Sequence, residues 1–133
     1  MAIDFSTWYD ALAALSVTGV TNLAQPPTAA DLSTANVPVM WVDTAGIDEA
    51  PLHSGGIGGE VELRARIVIV TGSQAQDSHA KRWDIAIDMV DMLNTAIKTL
   101  GYETLTYSID LDPEFWGMFF AVVAELRAAE VGV

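Results

Sequence analysis

The sequence predicts an α+β domain: a mainly antiparallel four-stranded sheet with a long helix packed on one face and a short N-terminal helix, in the order α-β-β-α-β-β. Three observations predict it. Residues 60–71 and 102–111 alternate their side-chain character with the period of a strand. Residues 77–100 carry apolar side chains at helical spacing. Residues 116–126 are apolar on both faces, as in a central strand. A chain of 133 residues is large enough for one core, so a single domain spanning 1–133 is expected.

The first helix is expected over 5–16. Asp4, Ser6 and Thr7 all accept hydrogen bonds from free N–H groups at a helix start, and Asp10 follows Thr7 at capping-box spacing. Phe5, Trp8, Leu12 and Leu15 share a face, with Tyr9 beside them, and Gly19 can end the segment. Residues 21–36 are polar and include Pro26 and Pro27, which predicts a loop with one helical turn at 29–32. Residues 37–43 read as a strand. Pro38 cannot donate to a ladder, so it marks a strand beginning or an edge.

Residues 44–59 have no periodicity and contain Gly46, Pro51 and a glycine-rich run from Gly55 to Gly59. A stretch this long is expected to be a mobile arm between two antiparallel strands, with Asp48, Glu49, His53 and Ile57 available to a partner. In the strand that follows, Val61, Leu63, Ala65, Ile67 and Ile69 form one face. Glu62, Arg64, Arg66, Val68 and Val70 form the other, which changes from charged to apolar partway along. That strand should start exposed or at an interface and end buried on both sides.

After a turn at 72–77, Asp77 or Ser78 caps a helix about 33 Å long that Gly101 closes. Its expected core stripe is Trp83, Ala86, Ile87, Val90, Leu93, Ile97 and Leu100, opposite Asp84, Asp88, Asp91, Thr95 and Lys98. Ile85 and Met92 lie off that stripe among the acids, where a helix serving one domain places polar residues. Leu105, Tyr107 and Ile109 then alternate with Thr104, Thr106 and Ser108, giving a strand with one wet face. A turn is expected at Asp112-Pro113-Glu114, then the central strand at 116–126 and a small-residue tail at 128–133.

Charge excludes several functions. There are 18 acids against 6 Lys and Arg, a net −12, so the chain cannot line a basic groove for nucleic acid or anionic lipid. The balance serves solubility, or a surface that DNA passes without sticking. Hydrophobic residues make up 51% and charged ones 18%, below the usual share of about 25% charged. Some apolar surface is therefore expected to find cover outside the monomer. No apolar run reaches the roughly 20 residues of a membrane helix, and the first residues lack the basic and apolar regions of a signal peptide. No membrane partner is expected. The absence of cysteine excludes disulfides and thiolate metal sites and fits a reducing compartment.

Candidate chemistry is sparse, and no catalytic residue, cofactor or metal is expected. His53 and His79 lack zinc-pair spacing. The glycine-rich run lacks the Lys of a phosphate loop and precedes a strand, so it reads as a linker. Counted from Asp110, a calcium loop would need Gly at 115 and an acid at 121, where Phe115 and Ala121 stand. Asp84, Asp88 and Asp91 share a helix face that is either solvated or able to hold a cation. An enzyme reading would rest on His79 with Asp84 and Asp88. Arg64, Arg66, Lys81 and Arg82 are four of the six cations; they either meet acids of a neighbouring copy or pair locally.

The N-terminal helix, the strand Val37-Pro-Val-Met-Trp-Val42, the long arm, the strand Val61-Glu-Leu-Arg-Ala-Arg-Ile-Val-Ile-Val70, the helix containing Asp88-Met-Val-Asp-Met-Leu-Asn94 and the closing hairpin together resemble the tail terminator proteins (minor tail protein U-like) of long-tailed bacteriophages. The likeness covers nearly the whole chain and is one of element order, size and texture. It implies a virion structural protein assembled in the host cytoplasm. Such proteins form a ring, usually of six subunits, at the head-proximal end of the tail tube. The ring stops tube polymerisation and joins the head–tail connector protein, and DNA passes through as cargo. The expected subunit contact sets the helix side with Ile85 and Met92 against a neighbour's strand face with Arg64 and Arg66, flanked by Lys81 and Arg82; the arm would meet the tube protein or the connector. Another neck component (head-closure or tail-completion), a small ligand-binding domain or enzyme, and a monomeric adaptor are the alternatives.

Overall fold

A computed structural model describes residues 5–23, 25–34, 38–44, 52–53, 60–73, 79–101 and 105–131. The fold is α+β, with three helices and a mixed sheet among the described residues. The helices are α1 (Phe5–Ala13), α2 (Ala29–Thr34) and α3 (His79–Lys98); the strands are β1 (Thr21–Asn22), β2 (Val39–Asp43), β3 (Leu52–His53), β4 (Glu60–Ser73), β5 (Leu105–Phe115) and β6 (Phe119–Val131). Strand order is β1-β2-β4-β6-β5, with β3 also pairing β4. The four expected strands are present as β2, β4, β5 and β6. The mixed character comes from β1, which runs parallel to β2.

The sheet packs one face against α1 and α3. Odd positions of β4 (Leu63, Ala65, Ile67, Ile69) and even positions of β6 (Phe120, Val122, Ala124, Leu126) meet Trp8 and Leu12 of α1 and Ala86, Leu93 and Ile97 of α3. This is the period-2 alternation of strands meeting the period-3.6 stripe of helices. Trp83 closes one end with an edge-on contact to Phe120, ring centroids 4.9 Å apart. On the opposite face a smaller core joins Leu32 of α2 to Val39, Trp41, Val68, Val70, Phe119 and Ala121.

Local chemistry sets the helix ends. Thr28 and Asp31 form a reciprocal capping box at α2: the Asp31 N–H donates to the Thr28 hydroxyl and the Thr28 N–H to the Asp31 carboxylate, each at 3.2 Å. The expected Thr7–Asp10 box falls instead inside α1, which starts at Phe5. That helix stops at Ala13, short of 16, where the Asn22 amide donates to the carbonyls of Ala13 and Leu15 at 2.7 and 3.0 Å. Gly101, with φ 71°, closes α3 as expected.

Three further expectations are corrected. Asp112-Pro113-Glu114 is not the hairpin turn: β5 runs to Phe115 through a bulge, and the turn is at 116–118. Pro113 sits on the outermost strand, where no ladder bond is lost. The small-residue segment after 128 is the continuation of β6, paired to β4 as far as Val131 with Glu60. Within 44–59, residues 52–53 form β3, paired to β4 beside Val61 and Glu62.

Candidate functional site

Alternation along β4 carries Arg64 and Arg66 onto the face opposite α3. Register then lines up charged groups across the sheet. One row reads Asp43, Arg66, Glu125, Ser108 from β2 to β5; the next reads Arg64, Arg127, Thr106. Three of the six cations thus share the half of this face that α2 leaves uncovered. Arg64 stands directly opposite Arg127 in the register of the two central strands.

Arg66 is held within its own chain. Its Nε donates to Asp43 Oδ1 at 2.5 Å, and the Trp41 indole N–H donates to Asp43 Oδ2 at 2.6 Å. Asp43 is buried, and the two donors satisfy it there. The Arg66 guanidinium also lies 5.9 Å from the centre of the Phe115 ring. Of the two strand arginines expected at a subunit contact, Arg66 is therefore committed locally. Lys81 and Arg82 sit on α3, on the other side of the sheet, so the four cations do not form one cluster.

On α3, Ile87 is not part of the core stripe but 51% exposed. Burial follows Trp83, Ala86, Val90, Leu93, Ile97 and Leu100, and Ile87 falls beside that row. Asn94, two turns on from Ile87, accepts a hydrogen bond from Tyr107 of β5, so this flank of the helix lies over the sheet's last strand. Met92 is 39% exposed and Ile85 is half-buried. Met92 lines an open groove of about 650 Å³ with Leu15, Val17, Asp91 and Ala96. Asp84, Asp88 and Asp91 are all exposed, so α3 offers an acidic outer face with apolar residues on its flanks.

A third feature was not expected. The β5–β6 turn has positive φ at Trp116 (50°) and Gly117 (81°), and the Met118 N–H bonds the Phe115 carbonyl at 3.3 Å. Gly accepts such a backbone at no cost, whereas for most other residues it costs about 1–2 kcal/mol. Trp116 stacks on Phe115, centroids 4.8 Å apart at 23°, and lies 5.8 Å from Trp41. It is 42% exposed and Met118 is 48% exposed. The clue in the sequence was the pair Trp116-Gly117, which the expected turn at Asp112-Pro113-Glu114 obscured.

Asp48, Glu49 and Ile57 lie outside the described residues; His53 lies in β3. Among the described residues there is no group of three His, Asp or Glu able to hold a metal, and no helix is long and apolar enough to cross a membrane. Compared with protein-family models, curated proteins and solved structures, the chain matches none.

Proposed function

We propose that this chain is a ring-forming structural subunit of a long-tailed phage, a tail terminator that caps the head-proximal end of the tail tube and joins it to the head–tail connector. One observation carries the assembly reading. Two separate faces of one subunit differ in character: α3 exposes Asp84, Asp88 and Asp91 with Ile87 and Met92, and the sheet face away from α3 carries Arg64 and Arg127. Different patches that attract each other on like copies give a heterologous contact, which closes into a ring when the rotation permits. The element order supports the choice of family, and the net charge of −12 suits a channel that phosphates cross without adhering.

In this reading α3 of one subunit lies against the sheet of the next. Arg127 takes the place first assigned to Arg66, and Ile87 joins Ile85 and Met92. Electron microscopy of tails assembled without the protein tests the function: a terminator's loss gives tails of abnormal length, whereas loss of a head-closure protein leaves normal tails and leaking heads. Met92→Glu tests the contact. The fold should persist and assembly, followed by light scattering in the presence of tail tubes, should weaken; assembly equal to wild type removes α3 from the interface.

A further inference from the structure

We propose that the β5–β6 tip is a docking surface, with Trp116 as its anchor, for a protein partner that presents an arginine or lysine beside an apolar side chain. A turn with positive φ at both central residues favours Asn, Asp or Gly at the first. A tryptophan there, with φ 50°, is a poor choice for folding alone. Strain held at an exposed aromatic residue points to contact as the reason for that residue.

The surroundings make the tip rigid. The underside of Trp116 rests on Phe115 and faces Trp41, whose N–H is tied to the buried Asp43. Arg66, bonded to the same carboxylate, lies over Phe115. The free part of the indole and the Met118 side chain therefore form a pre-set apolar patch, so little freedom remains to be lost on binding.

Charge selects the partner. Residues 110–118 contain Asp110, Asp112 and Glu114 and no Lys or Arg. Asp110 and Glu114 are exposed, and Asp112 turns one carboxylate oxygen to the Glu114 N–H at 3.0 Å. An exposed, electron-rich indole on a tip whose preceding strand end is acidic is the surroundings a guanidinium or ammonium group seeks. A second copy suits it less well. Its open groove beside Met92 carries Asp91, so acids would meet an acid, and its arginine row is the proposed mate of α3. The tip therefore takes a foreign basic partner, an inference that rests on the ring reading for the exclusion of a second copy.

The test follows the indole N–H signals of the four tryptophans by NMR while the capped pentapeptide Ala-Leu-Arg-Leu-Ala is added. Glu and citrulline versions at the central position serve as comparisons. The arginine peptide should move the Trp116 signal along a saturable curve, and the citrulline peptide should bind about ten-fold more weakly. Binding should fall several-fold between about 50 and about 500 mM salt. Trp116→Asn should abolish the response while holding or raising the urea midpoint, because Asn suits the turn. Equal responses to the Arg and Glu peptides, shifts confined to the other tryptophans, or no shift would overturn the proposal. A urea midpoint well below wild type in Trp116→Asn would make Trp116 structural and overturn it too. So would a Trp116 signal that moves with protein concentration alone, which makes a second copy the occupant.

Discussion

The two faces of the sheet are built from alternate residues of the same strands, yet they solve different problems. The closed face, under α1 and α3, is apolar from Leu63 to Ile69 on β4 and from Phe120 to Ala128 on β6. The open face starts apolar at Val70 and Val68 and turns charged at Arg66 and Arg64. A strand whose two faces diverge partway along is using only part of its length for its own core. The closed face sets stability and the open face adds contact, and each can be broken separately.

The largest effect is expected at the junction of the apolar and charged halves. Asp43→Ala would leave Arg66 half-buried without its carboxylate and release the Trp41 N–H, at a cost of about 3–5 kcal/mol. Urea unfolding measures this. Adding Arg66→Met should recover much of the loss, because an apolar pair avoids the desolvation that the ion pair incurs. If the double variant is as unstable as Asp43→Ala alone, the cost lies in the Trp41 hydrogen bond. On the closed face, Leu93→Ala should cost about 3 kcal/mol, since a fully buried leucine leaves a cavity between helix and sheet. Its folded fraction should assemble as wild type does, which distinguishes a folding residue from a contact residue.

A smaller effect on stability, and a larger one on assembly, is expected at the charged row. Arg64→Glu should change the unfolding free energy, read from urea titration, by less than about 0.5 kcal/mol, because the side chain is partly solvated. Ring formation should nevertheless weaken, and Asp88→Arg in the same chain should restore it by exchanging the two signs. Native mass spectrometry over a range of concentrations, with tail tubes added where needed, reads the outcome. Failure of Asp88→Arg to rescue while Arg64→Glu disrupts would mean that the strand face meets something other than α3.

The main strands, the long helix and the short N-terminal helix were legible because periodicity registers burial directly: every buried odd residue of β4 was visible as an alternation. The change of character between Arg66 and Val68 was legible for the same reason. What sequence could not give was which remote groups register brings together. Asp43 reads as the last residue of a strand, and only pairing with β4 sets it beside Arg66. Ile87 fits a helical stripe by spacing, but the narrower row Trp83, Ala86, Val90, Leu93, Ile97 excludes it. The turn was misread because Asp-Pro is the stronger local signal, while a bulge lets β5 absorb Pro113 and moves the reversal to Trp116-Gly117.

The smallest predicted effect links the faces. Tyr9 belongs to the closed side, where its hydroxyl donates to the Val42 carbonyl at 2.5 Å, while Asp43, one residue on, belongs to the open side. Burial, and then the Asp43 carboxylate, raise the Tyr9 pKa above its ordinary 10.0. The folded protein therefore keeps a proton that the unfolded chain releases first. The stabilisation is complete below about pH 10 and is lost as pH rises through the unfolded value and on toward the folded one. Tyr9→Phe removes this dependence together with the hydrogen bond, so it should cost about 1 kcal/mol at neutral pH and lose less than wild type on going alkaline. Urea midpoints of both proteins at about pH 8 and about pH 11 decide it. The informative quantity is the difference between the two slopes. Parallel slopes would mean that burial and the Asp43 carboxylate together do not raise the Tyr9 pKa; a steeper wild-type slope would mean that they do.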